Sequence, residues 1–214
     1  MTAVTDQDPG SLLARLEPLL ARVSKPVQYV GGEHNAVVKD WEQVEVRWCL
    51  MYPDAYEVGQ PNQGIAILYE VLNEVDWVLA ERTYAVWPDF AAQLREHQLP
   101  QPSLDGHRPV RAFDLLGVSF STELGYTNLL HTLDLAQVPL HAADRDDSHP
   151  VVIAGGHAAF NPEPVADFID VAVLGDGEQA VLRISELVRE WKRQGRPGGR
   201  AELLLRLARS GCGY

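Results

Sequence analysis

The sequence predicts an α/β protein built on a doubly wound parallel sheet, and three observations carry that prediction. Short apolar runs recur: Val46-Arg47-Trp48-Cys49-Leu50-Met51, Leu115-Leu116-Gly117-Val118, Val151-Val152-Ile153 and Val171-Ala172-Val173-Leu174. Each runs into a loop of small or polar residues: Asp54-Ala55-Tyr56-Glu57-Val58-Gly59, Ser119-Phe120-Ser121, Ala154-Gly155-Gly156-His157 and Gly175-Asp176-Gly177-Glu178. Beyond the loops the apolar spacing turns helical. A parallel strand buried on both faces reads as a continuous apolar run, and a run, loop and helix in sequence form a βα unit. Ligands of open parallel sheets bind outside the carboxyl ends of the strands, so these loops are expected to share one edge.

The elements follow in order. Met1–Gly10 is polar and acidic and reads as disordered. Ser11 is placed to cap a helix reaching about Val23, with Leu12, Leu13, Leu16, Leu19 and Leu20 on one face and Pro18 interrupting it. Lys25–Trp41, centred on Gly31-Gly32-Glu33-His34-Asn35, has no period and must rely on tertiary partners. A first strand spans about 44–51. The next helix starts near Asn62, with Ile65, Leu68, Tyr69, Leu72 and Val75 as its stripe. Trp77–Ala80 is a second strand, and Pro88 opens a helix carrying Phe90, Leu94 and His97. Residues 98–111 form a Pro-rich loop. A third strand at 114–119 precedes a helix over 123–136, and a fourth spans 150–154. Pro162-Glu163-Pro164 opens a short helix, and 170–174 is the fifth strand. Ala180, Leu182, Ile184, Leu187, Val188 and Trp191 stripe a long helix over 178–194, and Ala201–Arg209 is a last short helix. Right-handed, short crossovers favour the flavodoxin-like strand order 2-1-3-4-5. The expected organisation is a helical and irregular extension (1–43), the α/β domain (44–195), and a linker with the start of a further element (196–214).

Composition bounds the function. Thirty acidic against 18 basic residues give a net charge of −12 over 214 residues, which opposes binding to phosphate backbones. The basic stretch Arg189–Arg200 reads as a solvated helix end. Two cysteines, Cys49 and Cys212, make neither a disulfide framework nor a zinc site, and Cys49 is expected as a buried thiol. There is no signal-peptide pattern and no apolar stretch of membrane-spanning length. The simplest expectation is a cytoplasmic protein without nucleic-acid or membrane partners.

The loops supply the candidate site residues: Asp54, Tyr56, Gly59, Ser119, Ser121, Gly155, Gly156, His157, Gly175 and Gly177. Missing side chains at Gly155-Gly156 let a bulky group approach the backbone. His157 is either a ligand contact or a hydrogen-bonded structural histidine. Gly175-Asp176-Gly177-Glu178 either aims amides at a ligand or places carboxylates on a helix dipole. No Ser/His/Asp triad and no phosphate-binding loop is present, and Gly175-Asp176-Gly177 lacks the third glycine of a dinucleotide fingerprint. No catalytic residue and no metal ligand is therefore assigned.

The order of these loops resembles the flavodoxin-like cobalamin-binding domains, which carry Asp-x-His-x-x-Gly after the first strand, a Ser-containing loop after the third and a Gly-Gly pair after the fourth. Asp54 and Gly59 match that spacing, but Tyr56 stands where the cobalt-ligating His would be. A phenol is a poor cobalt ligand, so the resemblance implies a corrinoid held without a protein His. Tyr52–Gly59, Gly64–Tyr69 and Gly155–Pro164, with Asp167, Asp170 and Gly175–Glu178, are similar to the N-terminal region of cobalamin-binding-domain radical S-adenosylmethionine proteins. A bacterial branch of that superfamily also carries a Gly-Gly-Glu-x-Asn segment like Gly31–Asn35. The resemblance covers about residues 20–214. It implies cobalamin as a possible cofactor, with S-adenosylmethionine and an iron–sulfur cluster confined to a C-terminal radical domain that would be the chain's partner. The three-cysteine motif for that cluster does not occur in this sequence, so the chain alone is expected to be non-catalytic. Three roles stay open: a corrinoid-presenting module, a structural or substrate-recognition domain without corrinoid, and an independent flavodoxin-like regulator.

Overall fold

The computed structural model describes residues 9–211, with side chains from residue 12 onward; the expectations for the first eight residues and for Cys212 lie outside them. Five strands make one all-parallel sheet: β1 (Val46–Tyr52), β2 (Val78–Tyr84), β3 (Leu115–Ser119), β4 (Val151–Gly155) and β5 (Val171–Ala172). Their order is β2-β1-β3-β4-β5, the flavodoxin-like order expected from the crossover rules. The helices are α1 (Pro9–Leu20), α2 (Tyr56–Gly59), α3 (Gln63–Asn73), α4 (Pro88–Glu96), α5 (Tyr126–Leu135), α6 (Gly177–Arg193) and α7 (Gly199–Arg209).

The two faces of the sheet make two cores. Val46, Trp48 and Leu50 of β1 point to one face, where α3, α6 and α7 supply Ile65, Leu72, Ile184, Val188 and Leu203. Cys49 and Met51 point to the other, against Leu129 and Leu133 of α5 and Val165 and Ile169 beyond β4. Burying each large apolar side chain stabilises by about 1.5–3 kcal/mol. This explains why every position of β1 except Arg47 and Tyr52 is buried. Burial also pushes the Cys49 thiol well above its ordinary pKa, so it is a packing residue. A third cluster joins α1 to α4 through Leu12, Leu16, Leu19, Phe90 and Leu94.

Several boundaries move. α1 begins at Pro9, so Ser11 lies inside the helix rather than capping it, and the helix continues through Pro18 to Leu20. β2 runs on to Tyr84 instead of stopping at Ala80, with all seven residues buried. The sequence hides this because Glu81-Arg82-Thr83 looks like a loop. The missing partners come from the Pro-rich segment, where Ser103 and Gly106 donate to Glu81 and Asp105 pairs with Arg82 at 2.6 Å. β5 contracts to two residues, and the segment before α5 and the one after Pro162 are 3-10 turns over Glu123–Gly125 and Glu163–Phe168. The aperiodic stretch after α1 finds its partners across the fold. Tyr29 stacks on Phe90 at 4.1 Å, the Val37 amide donates to the Tyr69 hydroxyl, and Lys39 donates to the carbonyls of Asn73, Val75 and Val78.

Carboxylates at the amino ends of the strands clamp helices to the sheet. Asp114 accepts from the Arg47 amide and pairs with Lys192 of α6. Asp170 accepts from the Val152 amide and pairs with Arg145 and Arg200 through Oδ2, with side-chain exposures of 1%, 0% and 9%. The basic stretch read as a solvated end is thus partly structural. Arg189 and Arg193 hold Glu45, and Arg200 is buried.

Removing one partner of a buried ion pair leaves the others uncompensated, so Asp170→Ala should lower unfolding free energy by about 3–5 kcal/mol, read by urea denaturation. Arg189 and Arg193 hold the Glu45 carboxyl down from its ordinary 4.5 to about 2. A depressed folded-state pKa contributes stability that is present above 4.5 and fades as pH falls toward 2. Glu45→Gln should therefore flatten the loss of stability across that window relative to the native chain.

Candidate cofactor-binding crevice

β1 ends level with β2, Tyr52 beside Tyr84, and β3 level with β4, Ser119 beside Gly155, and the loops that follow the strands frame a crevice between α3, α6 and the carboxyl edge of the sheet. Its volume is about 510 Å³, within the range of roughly 300–1,000 Å³ typical of small-molecule sites. Trp48, Leu50 and Ile153 form an apolar floor. The Trp48 indole N–H donates to the Ser185 hydroxyl, which donates in turn to the Val181 carbonyl, so the floor is fixed to α6. Gly117 lets the indole pack closely against β3, since a Cβ there would meet the ring at 3.0 Å.

Absent side chains open the crevice. Ser119 pairs in register with Gly155 at the ends of β3 and β4. A Cβ at Gly155 would meet nothing nearer than the Val173 carbonyl at 3.9 Å, so its α-carbon faces open space. Gly156 differs. Its φ is +90°, and a Cβ would strike the Phe120 carbonyl oxygen at 2.6 Å, so it serves the turn rather than the ligand. That turn is fixed by the Phe120 amide on the Gly155 carbonyl, the Ala158 amide on the Phe120 carbonyl, and the Tyr126 hydroxyl on the carbonyls of Ala158 and Asn161. Gly175 has a φ of +107°, and a Cβ there would meet nothing within 4 Å. With Gly177 at the start of α6 it makes the opposite wall.

The expected site residues separate into two groups. Ser119, Gly155, Gly156, His157, Gly175 and Gly177 line the crevice. His157 is exposed, and its imidazole makes no hydrogen bond among the described residues, so it is not a tied structural histidine. Asp54, Tyr56, Gly59 and Ser121 follow strands of the same edge but do not line the crevice. Asp54 caps the Ala55 amide and its carbonyl accepts from Ala85, while exposed Ser121 accepts from the Tyr52 hydroxyl at 3.2 Å. Gly59 makes room for the Tyr84 ring. Tyr56 turns away, donating to Glu33 at 2.7 Å and packing edge-on to Tyr84. Burial and then the Glu33 bond push its pKa up to about 12, so it stays a neutral phenol.

Sequence reasoning missed the apolar rim. Ile67, Leu68 and Ala180 line the crevice from the two helices, and Phe160, 64% exposed, lines it from the turn after β4. Leu68 and Ala180 were legible as stripe residues, but nothing in a helical period says that a stripe borders a cavity rather than a core. Among the described residues no helix is long and apolar enough to cross a membrane, and no group of three or more His, Cys, Asp or Glu is placed to hold a metal.

A family model described as "Radical SAM proteins, N-terminal" matches residues 64–214, well over half of the chain. No curated protein and no solved structure shows a significant match.

The two neighbouring glycines should respond differently to a side chain. Gly155→Ala should change unfolding free energy by under about 0.5 kcal/mol, whereas Gly156→Ala should cost about 1–3 kcal/mol through its backbone conformation and the Phe120 clash. Parallel thermal and urea denaturation reads the difference.

Proposed function

The chain belongs to the radical S-adenosylmethionine proteins, as an N-terminal region of that family, and we propose that its crevice holds the extended tail of a corrinoid. The observation that carries this reading is a cleft of about 510 Å³ that runs down from the carboxyl edge between α3 and α6 and is walled by Gly155 and Gly175. An elongated group entering there meets bare backbone at the mouth and the apolar floor of Trp48 and Leu50 below. Ser119 sits at the mouth as a hydroxyl for the polar part of such a tail. A corrinoid would supply organometallic chemistry that no side chain here provides, while the protein supplies position and shelter from water. The residues fit a corrinoid without a protein ligand below cobalt. Tyr56, at the position of the usual axial His, is a neutral phenol committed to Glu33. The neighbouring loop offers no imidazole, and His157 follows a different strand. The substrate and the reaction belong to the whole enzyme, whose radical domain is the proposed partner and the proposed holder of the iron–sulfur cluster and S-adenosylmethionine.

A second reading, a substrate-recognition or structural domain without corrinoid, is favoured by the same Tyr56. Its hydrogen bond to Glu33 and its contact with Tyr84 make it part of the scaffold.

Incubation with hydroxocobalamin followed by desalting separates the two readings. The corrinoid reading expects a retained visible spectrum, lost in Gly155→Val with the melting temperature held and kept in Tyr56→Phe. The cobalt(II) form should show no protein nitrogen hyperfine splitting. A splitting that disappears in His157→Ala contradicts the His-free arrangement, and no retention by the folded native chain favours the second reading.

A further inference from the structure

The lining of the crevice changes with depth. Ser119 and Gly155 pair at the mouth. Gly117 pairs with Leu50 and Ile153 two residues down, and Trp48 pairs with Leu115 four residues down. At about 3.3 Å per residue, those levels lie roughly 7 Å and 13 Å below the mouth. α6 descends beside them from Gly177, placing Val181 and then Ile184 against the same space.

Polar side chains keep to the upper level. Ser119 ends β3, His157 follows β4, and Asp176 and Glu178 flank the first residue of α6. Below them the lining is Trp48, Leu50, Ile153, Val181 and Ile184. Among these lower residues the one polar side-chain atom is the Trp48 indole nitrogen, and it is already committed. It donates to Ser185 Oγ at 2.8 Å, and the Ser185 hydroxyl donates to the Val181 carbonyl at 2.7 Å. Ser185 itself is fully buried. The backbone offers nothing more at this depth. β1, β3 and β4 each lie between two neighbouring strands, so their amides and carbonyls are used in the sheet, and those of α6 are used in the helix. The floor therefore has no free donor and no free acceptor for a bound group.

We propose that this floor selects the base that ends the corrinoid tail, taking an apolar benzimidazole and rejecting a purine. The inference rests on the corrinoid reading of the crevice. A dimethylbenzimidazole presents carbon edges and two methyl groups to Leu50, Ile153, Val181 and Ile184. Adenine in the same place adds an exocyclic amine and further ring nitrogens, and the floor has a partner for none of them. Stripped of water and left unpaired, those groups oppose burial. An apolar pocket discriminates against added polar groups of this kind by about tenfold to a hundredfold. Ser185 is part of the device, because it occupies the indole N–H that would otherwise face a purine nitrogen as a donor.

Equilibrium dialysis of the full chain against cobalamin, adeninylcobamide and the tail-less cobinamide, read by visible absorbance, tests the proposal. Cobalamin is expected to bind about tenfold to a hundredfold more tightly than adeninylcobamide. Val181→Thr places a hydroxyl of nearly the same shape on the floor, where a helix carbonyl one turn back can hold it while the cleft is empty. It should narrow the ratio by about threefold or more, with the melting temperature as the check on the fold. Equal affinity for cobalamin and adeninylcobamide, both tighter than cobinamide, would overturn the selection while leaving the tail in the crevice. A ratio unmoved in folded Val181→Thr would overturn the assignment of that selection to the floor. Cobinamide bound as tightly as cobalamin, or none of the three bound, would overturn the corrinoid reading and this inference with it.

Discussion

One buried carboxylate sets much of the geometry. β5 is only two residues long and pairs with β4 over Ile153–Val171 and Ala154–Ala172, too short a ladder to fix its own place. Asp170, immediately before it, does so. It accepts the Val152 amide of the neighbouring strand, draws Arg145 in from the segment before β4, and draws Arg200 in from α7. Arg145 also donates to the carbonyls of Pro139, Leu140 and Phe168, and Arg200 to those of His149 and Pro150. A buried carboxylate between two buried guanidinium groups needs hydrogen-bond partners; here Asp170 Oδ2 accepts from the Val152 amide and from both arginines, while Arg200 Nε is left without a partner. Once β5 is fixed, the loop Gly175–Gly177 and the start of α6 are fixed with it, and these form one wall of the crevice.

The two edges of the sheet are consequently built on different principles. At the amino edge, charged side chains bridge strands and helices through Asp114, Asp170 and Glu45. At the carboxyl edge, strands run out into residues with little or no side chain, and the space left is a cleft with an apolar floor. Helices on both faces leave no other route for a ligand to reach the strand ends, which is the general reason open parallel sheets bind at that edge. Tyr56 shows how the edge is specialised. Where the cobalamin-binding pattern would put an imidazole, a phenol is locked to Glu33 of the irregular N-terminal segment, so that segment completes the scaffold beside the crevice.

The strand order and both helical layers were legible because continuous apolar runs and helical stripes each obey one local rule. What escaped depended on residues far apart in sequence. Glu81 and Arg82 read as loop residues until Ser103, Asp105 and Arg108 are seen to satisfy them. Lys39 gives no local signal, yet it gathers three carbonyls, from the end of α3, the turn after it and the first residue of β2. The crevice was half legible. Small residues after β3, β4 and β5 do line it, while Asp54, Tyr56, Gly59 and Ser121, at matching positions in the pattern, are used in turns and packing outside it. Spacing identifies the edge on which a residue lies, but the direction of its side chain is decided by neighbours such as Glu33 and Tyr84.

The central claim is that the crevice between α3 and α6 takes the nucleotide tail of a corrinoid, and amide chemical-shift mapping with two ligands tests it most directly. Cobalamin carries that tail and cobinamide lacks it. The account predicts that cobalamin shifts the amides of Gly117, Ser119, Gly155, Gly175 and Gly177 along with the indole N–H of Trp48, while cobinamide leaves the Trp48 signal in place. Equal shifts from both ligands, or shifts confined to residues outside the crevice, would contradict it.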